Sequence, residues 1–129
     1  MTPHLQVTSV TLGCPDPVAL AQFYAHLLDT TVTSQEPGWA QLTAPRPLDA
    51  QGRGGVTLNF EREAQWTTPV WPAEAGRQFA SQHLDIWVDD LDASVAWALD
   101  CGATLAAEQP QDTVRVMIDP AGHPFCLFA

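Results

Sequence analysis

The sequence predicts an α+β fold built from two βαβββ units, and three observations indicate it. Several short segments alternate apolar and polar residues with the period of two that a half-buried strand shows. Two helix-forming segments each follow such a strand behind an aspartate that can act as an N-cap. The second half of the chain also repeats the first, because residues 9–14, Asp16 and Phe23 correspond to residues 83–88, Asp90 and Trp97 at a constant offset, 83 − 9 = 90 − 16 = 97 − 23 = 74. Two such units, with their helices outside, predict a curled mixed sheet around a shared concavity.

The first unit, about residues 5–62, opens with a strand and a helix. Residues 6–14 alternate, and their more apolar face ends in the valine, leucine and cysteine of VTLGC. Asp16 stands before Pro17, the arrangement of an N-cap followed by the first helical residue. A helix over about 17–28 follows, with its apolar residues on a single face. That face is expected to cover the apolar side of the strand.

Three strands complete the first unit. The β-branched and aromatic segments within about 30–44 are separated by Pro37 and Gly38, a turn dipeptide that predicts a hairpin. The glycine-rich segment 45–55 is predicted to be a loop. Residues 55–61 then alternate again and predict the last strand of the unit.

The second unit, about residues 82–129, follows a long connection over 63–81 that carries tryptophan, proline and glycine without periodicity. Its first strand leads to Asp90 or Asp92 as an N-cap and to a helix through about 101, which Gly102 is expected to end. Strands near 103–107 and 113–118 come next, then the turn DPAGHP and the last strand FCLF. This strand aligns with the last strand of the first unit at a different offset, 126 − 61 = 65.

The alternation and the helical faces predict a core of apolar side chains. These are Val10, Leu12, Phe23, Leu27, Leu58, Phe60, Leu84, Ile86, Val88, Trp97, Val116, Phe125 and Leu127. We expect residues 1–129 to form one domain, since a chain of this length can bury a core without further support.

Composition excludes several classes of protein. Fifteen acidic and five basic residues give a formal charge of −10, which repels nucleic acid and anionic membranes. No segment has the length of a membrane span or the pattern of a signal peptide, so a cytoplasmic protein is expected. The cysteines Cys14, Cys101 and Cys126 are odd in number and lack metal-site spacing, which favours reduced thiols.

The chain resembles the vicinal oxygen chelate superfamily, which includes glyoxalases, bleomycin-resistance proteins and extradiol dioxygenases. The segments that carry the resemblance are VTLGCPDPVALAQFYAHLLD, HLDIWVDDLDASVAWALDCGA and DPAGHPFCLF. With the strands between them they cover nearly the whole chain. The branch that it resembles most is the group of small, single-domain glyoxalase-like proteins.

The resemblance implies a position for a metal site. In the superfamily, one side chain from the first strand and one from the last strand of each unit bind a divalent metal, usually His or Gln with Glu. The matching positions here are Ser9, Glu61, His83 and Cys126. Ser9 offers a neutral hydroxyl and Cys126 a soft thiol, so these positions do not form the usual ligand set. We therefore expect no complete metal site and no bound cofactor.

Two functions follow from this resemblance. The first is binding of a small, apolar or aromatic ligand without a metal, in a pocket between the repeats with Trp66 or Trp71 as a lid. The pocket residues come from the strand faces opposite the core and are Trp39, Thr57, Asn59, Glu61, His83, Asp85, Trp87 and Cys126.

The second function is that of a metal-dependent lyase, isomerase or dioxygenase. In it, His83 and Glu61 act as metal ligands or catalytic groups, and Cys126, water or a second chain completes the coordination of a divalent metal. Single-domain relatives and the open edges of small sheets also predict a homodimer.

Overall fold

A computed structural model describes residues 1–42 and 55–129 of the protein, and the predicted loop over 45–55 lies outside the described residues except for Gly55. The described chain divides into two compact units, Met1–Ala64 and Gln65–Ala129. Each unit contains one helix and a four-stranded mixed sheet. The predicted α+β class with two βαβββ units is therefore confirmed.

The first unit has the strand order β1-β4-β3-β2, with β1 and β4 parallel and the other neighbours antiparallel. Its elements are β1 (Ser9–Cys14), α1 (Pro17–Leu27), β2 (Val32–Glu36), β3 (Trp39–Leu42) and β4 (Thr57–Arg62). The predicted hairpin is present, since β2 and β3 pair on either side of Pro37 and Gly38.

The second unit has the corresponding order β5-β8-β7-β6, with β5 and β8 parallel. Its elements are β5 (Leu84–Trp87), α2 (Leu91–Cys101), β6 (Thr104–Leu105), β7 (Val114–Ile118) and β8 (Pro124–Phe128). The connection before β5 contains an isolated bridge between Val70 and Phe79. None of the helices in the described chain has the length and apolar character that crossing a membrane requires.

The two helices begin in the same way. The Asp16 carboxylate accepts a hydrogen bond from Ala19 N at 3.1 Å, and the Asp90 carboxylate accepts one from Ala93 N at 3.0 Å. Each aspartate thereby satisfies an amide that has no partner within the first helical turn. Of the two predicted caps for α2, Asp90 is the one used. Gly102 ends α2 with a φ of 114°, as predicted.

The predicted core is only partly confirmed. Its buried members are Phe23, Leu58, Phe60, Val116, Phe125 and Leu127, while Leu12, Leu27, Leu84, Ile86 and Val88 are half-buried. Val10 is 36% exposed, so the prediction that it is buried in the core was wrong. The reason is that β1 is an edge strand and α1 packs more extensively on β3 and β4 than on β1. In the described chain, α2 likewise packs on β6, β7 and β8 but not on the edge strand β5.

Trp97 was also predicted to be buried, but it is 44% exposed. The side of α2 that faces the sheet is centred on the fully buried Ala98, with Leu91, Val95 and Cys101 half-buried on the same stripe. One residue corresponds to a rotation of about 100° around the helix, which places Trp97 outside this stripe. Its counterpart Phe23 is buried, because the buried face of α1 is wider.

The turn DPAGHP before β8 is held by a buried carboxylate. Asp119 Oδ1 accepts hydrogen bonds from Ala121 N at 2.9 Å and from His123 N at 3.0 Å, and Asp119 Oδ2 lies 2.8 Å from His123 Nδ1. Gly122 adopts a φ of 102° and lies so close to Thr68 that an added Cβ would overlap the threonine methyl group. The turn thus fixes where β8 begins.

Candidate functional site

Three side chains of different ligand types lie together on one face of the second sheet. His83 directly precedes β5, and Asp85 lies two residues further on, so both side chains point to the same face. Cys126 on β8 is the register partner of Asp85 on the neighbouring parallel strand. One ligand atom from each residue lies within 4.8 Å of the other two. We call these three residues the donor cluster.

Asp85 is the centre of the donor cluster. Its Oδ1 atom lies 3.1 Å from His83 Nε2, in a pair whose side chains are 49% and 61% exposed for His83 and Asp85 respectively. Because solvent screens such a pair, it stabilises the fold by no more than about 1 kcal/mol. The contact orients the imidazole next to the thiol of Cys126.

The Cys126 thiol is held in its protonated form. Burial raises its pKa above the usual value, and the negative charge of Asp85 and the hydrogen bond that the thiol donates to this carboxylate raise it further. A thiol is a nucleophile only as the thiolate. Cys126 in this environment is therefore a poor nucleophile at neutral pH.

The Asp85→Asn substitution is expected to make Cys126 react faster with iodoacetamide at pH 8. The substitution removes the charge that raises the pKa of the thiol, so the thiolate fraction at this pH increases. Peptide mass spectrometry at timed intervals, in the presence of a chelator, measures the rate. Cys101, in α2, provides the internal control and should react at an unchanged rate. An unchanged rate at Cys126 would contradict the assigned influence of Asp85.

The donor cluster borders a cavity of about 490 Å³, and all residues that line this cavity belong to the second unit. The apolar part of the lining consists of Trp71, Pro110, Val114, Val116, Pro124, Phe128 and Ala129. The polar part includes Gln111 and Thr113 together with the donor cluster. Small-molecule sites generally combine an apolar wall with a few convergent polar groups in this way.

Only some of the pocket and lid residues predicted in the second unit line the cavity. His83, Asp85 and Cys126 line the cavity, as does Trp71, one of the two predicted lid residues. Trp87 follows on β5 but is 65% exposed and does not line this cavity. Trp66, the other predicted lid residue, lies against His123, with ring centroids 4.9 Å apart.

The remaining predicted pocket residues lie on the first sheet. Thr57, Asn59 and Glu61 alternate along β4 with the buried Leu58 and Phe60. Trp39 on β3 is the register partner of Glu61. The burial pattern of β4 thus places Thr57, Asn59 and Glu61 on the face opposite the core, as predicted. A pocket shared by both units stays a prediction.

The strand registers correct the alignment of the two last strands. Thr11 pairs with Asn59 in the first unit, and Asp85, which corresponds to Thr11 because 85 − 11 = 74, pairs with Cys126 in the second. Asn59 is therefore the counterpart of Cys126, at an offset of 126 − 59 = 67. The predicted match between Glu61 and Cys126 was wrong by two residues, which leaves both candidates on the same face of β4.

The first unit has neutral hydrogen-bonding groups where the second has the donor cluster. Gln41 Nε2 donates to Asn59 Oδ1 at 2.9 Å, and Asn59 Nδ2 lies 3.4 Å from Thr11 Oγ1. Among the described residues, the donor cluster is the only group of three or more His, Cys, Asp or Glu side chains found close enough to hold a metal. The two units have thus acquired different chemistry at matching positions.

Sequence reasoning missed the segment before β7, which contributes Pro110, Gln111 and Thr113 to the cavity. This segment has no periodicity that would reveal its position. The half-buried Gln109 anchors it: its Nε2 donates to Ala106 O at 3.0 Å and Val116 O at 2.9 Å, and its Oε1 accepts from Val116 N at 2.8 Å. A glutamine beside a proline gives no sequence signal for such a role.

Comparison with known proteins agrees with this architecture. The family model described as "Glyoxalase-like domain" matches residues 9–128. No curated protein matches the chain. A glyoxalase/bleomycin resistance protein/dioxygenase family enzyme from Burkholderia phytofirmans is similar in structure, with a TM-score of 0.67, 17% identity, and coverage of 95% of this chain and 97% of that chain.

Two further solved structures show the same fold. A glyoxalase family protein from Enterococcus faecalis has a TM-score of 0.65 and 18% identity, over 96% of this chain and 97% of that chain. A variant of the fosfomycin resistance protein FosX from Listeria monocytogenes, complexed with Mn(II) and dihydroxypropylphosphonic acid, has a TM-score of 0.66 and 12% identity. The match covers 100% of this chain and 91% of the FosX chain.

Proposed function

The chain belongs to the glyoxalase-like domain family, and on that premise we propose that its second unit binds a small molecule with an apolar or aromatic body and one polar group. The observation that carries this proposal is the cavity of about 490 Å³, whose lining combines apolar residues with the donor cluster. A cavity of this size suits a small organic ligand, since such sites generally measure about 300–1,000 Å³.

The charges around the cavity favour a cationic or hydrogen-bond-donating ligand when no metal is present. Asp85 lines the cavity as a carboxylate, and the whole chain carries a formal charge of −10. The Trp71 ring and the aliphatic residues of the lining offer contacts to an aromatic body. A ligand that combines both features would be bound through its ring and oriented by its polar group.

The enzymatic alternative that uses His83 and Glu61 is not favoured by a specific observation. The ligand atom of His83 lies beside Asp85 and Cys126, and the strand registers place Asn59 rather than Glu61 at the position that matches Cys126. The family's relation to metal enzymes therefore gives this chain no reaction by itself.

Three probes that share a naphthalene ring and differ in charge test the proposed binding. With a chelator present, we expect naphthylmethylamine to bind more tightly than naphthol, and naphthol more tightly than naphthoate. Asp85→Asn should reduce the affinity for the amine by about tenfold, because it removes the charge–charge contact. Isothermal titration calorimetry measures all of these affinities.

Trp71→Ala provides the second part of this test. We expect it to weaken all three probes by a similar factor, since it removes a contact to the shared ring. Trp97→Ala is the matched control, because Trp97 is 44% exposed on α2 and does not line the cavity. Equal binding to the wild type and to both the Trp71→Ala and the Asp85→Asn variants would place the ligand site elsewhere.

A further inference from the structure

We propose that His83, Asp85 and Cys126 form a Zn²⁺ site contained entirely within the second unit. The inference goes beyond ligand binding in the cavity and does not depend on it. It also departs from the expectation, drawn from Ser9 and Cys126, that the chain holds no metal. The reason for the departure is Asp85, which the superfamily's ligand pattern does not include and which the structure places between the other two donors.

The chemistry of the three donors selects the ion. Imidazole, carboxylate and thiolate are the ligands that Zn²⁺ commonly binds, in four-coordinate centres. Mg²⁺ and Mn²⁺ prefer sets made of oxygen, so a thiolate in the set disfavours them. When Zn²⁺ displaces the thiol proton to solvent, one carboxylate and one thiolate balance the charge of the ion. The site is then neutral without a contribution from outside the second unit.

The geometry of the donor cluster is close to what a zinc centre requires. Zinc–ligand bonds of about 2.0–2.3 Å in a tetrahedral arrangement place neighbouring donor atoms about 3.3–3.8 Å apart. The 3.1 Å between His83 Nε2 and Asp85 Oδ1 is already near that range, and all three donors lie within 4.8 Å of one another. The longest separation therefore has to shorten by about 1.5 Å at most. Rotation of the half-exposed His83 and Asp85 side chains can supply this change.

The backbone fixes the relative positions of the three residues. Asp85 and Cys126 are register partners in the parallel pair of β5 and β8, and His83 is two residues before Asp85 on the same face. Three protein ligands leave one position of a tetrahedral centre open, as in zinc sites that bind a substrate or water. All three donors line the 490 Å³ cavity, so that position is available to a molecule bound there.

The donor set does not fit the superfamily's usual metal arrangement. Two of the superfamily's four positions belong to the first unit, and the strand registers place Ser9 and Asn59 there instead of Ser9 and Glu61. That unit therefore offers the neutral side chains Thr11 and Asn59 where the second has Asp85 and Cys126. The related FosX structure contains Mn(II), an ion that suits oxygen ligands. A site with a thiolate and a carboxylate from the second unit alone is expected to prefer zinc.

Metal titration of the chelator-treated, tag-free protein tests the proposal. We expect about one Zn²⁺ per chain by calorimetry and elemental analysis, with weaker binding of Mn²⁺. Co²⁺ serves as a spectroscopic substitute, because a thiolate ligand produces an intense charge-transfer band in the near ultraviolet. This band should appear in the wild type and reach its maximum at about one Co²⁺ per chain.

Variants then assign the ligands. Cys126→Ser should remove the charge-transfer band, and His83→Ala and Asp85→Asn should each abolish stoichiometric Zn²⁺ binding. Cys101→Ser is the matched thiol control and should keep the band. Asn59→Ala removes the side chain at the superfamily's position on β4, and Glu61→Ala removes the ligand predicted from sequence; both variants should bind Zn²⁺ as the wild type does. Circular dichroism confirms that each variant is folded, and the near-isosteric Cys126→Ser and Asp85→Asn changes preserve the packing.

Several outcomes would overturn the proposal. Wild-type protein without a cobalt–thiolate band has no such site. Zn²⁺ binding that persists in Asp85→Asn would show that Asp85 is not a ligand. Loss of binding in Asn59→Ala or Glu61→Ala would show that the first unit supplies a ligand, which contradicts a site contained within the second unit. Because the naphthalene probes are measured in the presence of chelator, failure of the zinc site and failure of the proposed ligand binding give separate results.

Discussion

The Phe60→Ala substitution is expected to lower the free energy of unfolding by about 3–5 kcal/mol. Phe60 is completely buried in β4, and its ring stacks on Tyr24 of α1 with the centroids 5.7 Å apart. Tyr24 in turn makes an edge contact with Phe23 at 4.8 Å. The substitution leaves a cavity where the helix and the sheet of the first unit meet. Since the free energy of unfolding of a domain is about 5–15 kcal/mol, this loss removes a large part of the total stability.

Urea denaturation followed by circular dichroism measures this loss. Phe79→Ala is the matched control, because Phe79 is 55% exposed in the connection before β5 and its removal leaves no buried cavity. We expect the control to change stability by less than about 0.5 kcal/mol. Similar losses for the two substitutions would show that the packing of α1 on β4 is not a principal source of stability.

The Asp119→Ala substitution is expected to destabilise the protein by about 3 kcal/mol or more. The Asp119 side chain is fully buried and accepts hydrogen bonds from the amides of Ala121 and His123, besides its contact with the His123 ring. Alanine leaves these donors without their acceptor, and each buried group that loses its partner costs about 1–3 kcal/mol. The turn that starts β8 should therefore open at lower urea concentration.

Two further variants interpret the result for Asp119. Asp119→Asn keeps one oxygen as an acceptor but loses the charge that strengthens the contact with His123, so its loss of stability should be intermediate. Asp112→Ala changes an exposed aspartate of the same unit and should have little effect. If Asp119→Asn were as stable as the wild type, the negative charge at this position would contribute nothing to the turn.

The elements of the fold were predictable because local signals specify them. The aspartates that cap α1 and α2 and the glycine that ends α2 act within a few residues of their own positions, and alternation identifies strands without knowledge of their neighbours. Burial was predicted less well, because it depends on which strand lies at an edge. Val10 belongs to an inward-facing set, but the helix of its unit packs mainly on other strands.

The candidate site shows the same division between local and non-local information. Alternation placed His83, Asp85 and Cys126 on one face, because the direction of a strand side chain depends only on parity. Parity does not show whether Asn59 or Glu61 is the counterpart of Cys126, because these two residues are two positions apart. The answer depends on the register of β1 with β4, which could not be inferred from the sequence because the loops of the two halves differ in length. The role of Asp85 beside the thiol likewise required the pairing of two strands distant in sequence.

Equivalent positions of the two repeated units are identical where they serve folding and different on the open faces of the sheets. The capping aspartates Asp16 and Asp90 are identical in the two copies, since each copy must fold by the same backbone path. On the open faces, Ser9 has become the counterpart of His83, and Thr11 that of Asp85. Folding requirements therefore act on both copies, whereas the proposed ligand and zinc sites use the side chains of one copy. Side chains on the open face of the other copy can change without affecting those sites, as long as the sheet still forms.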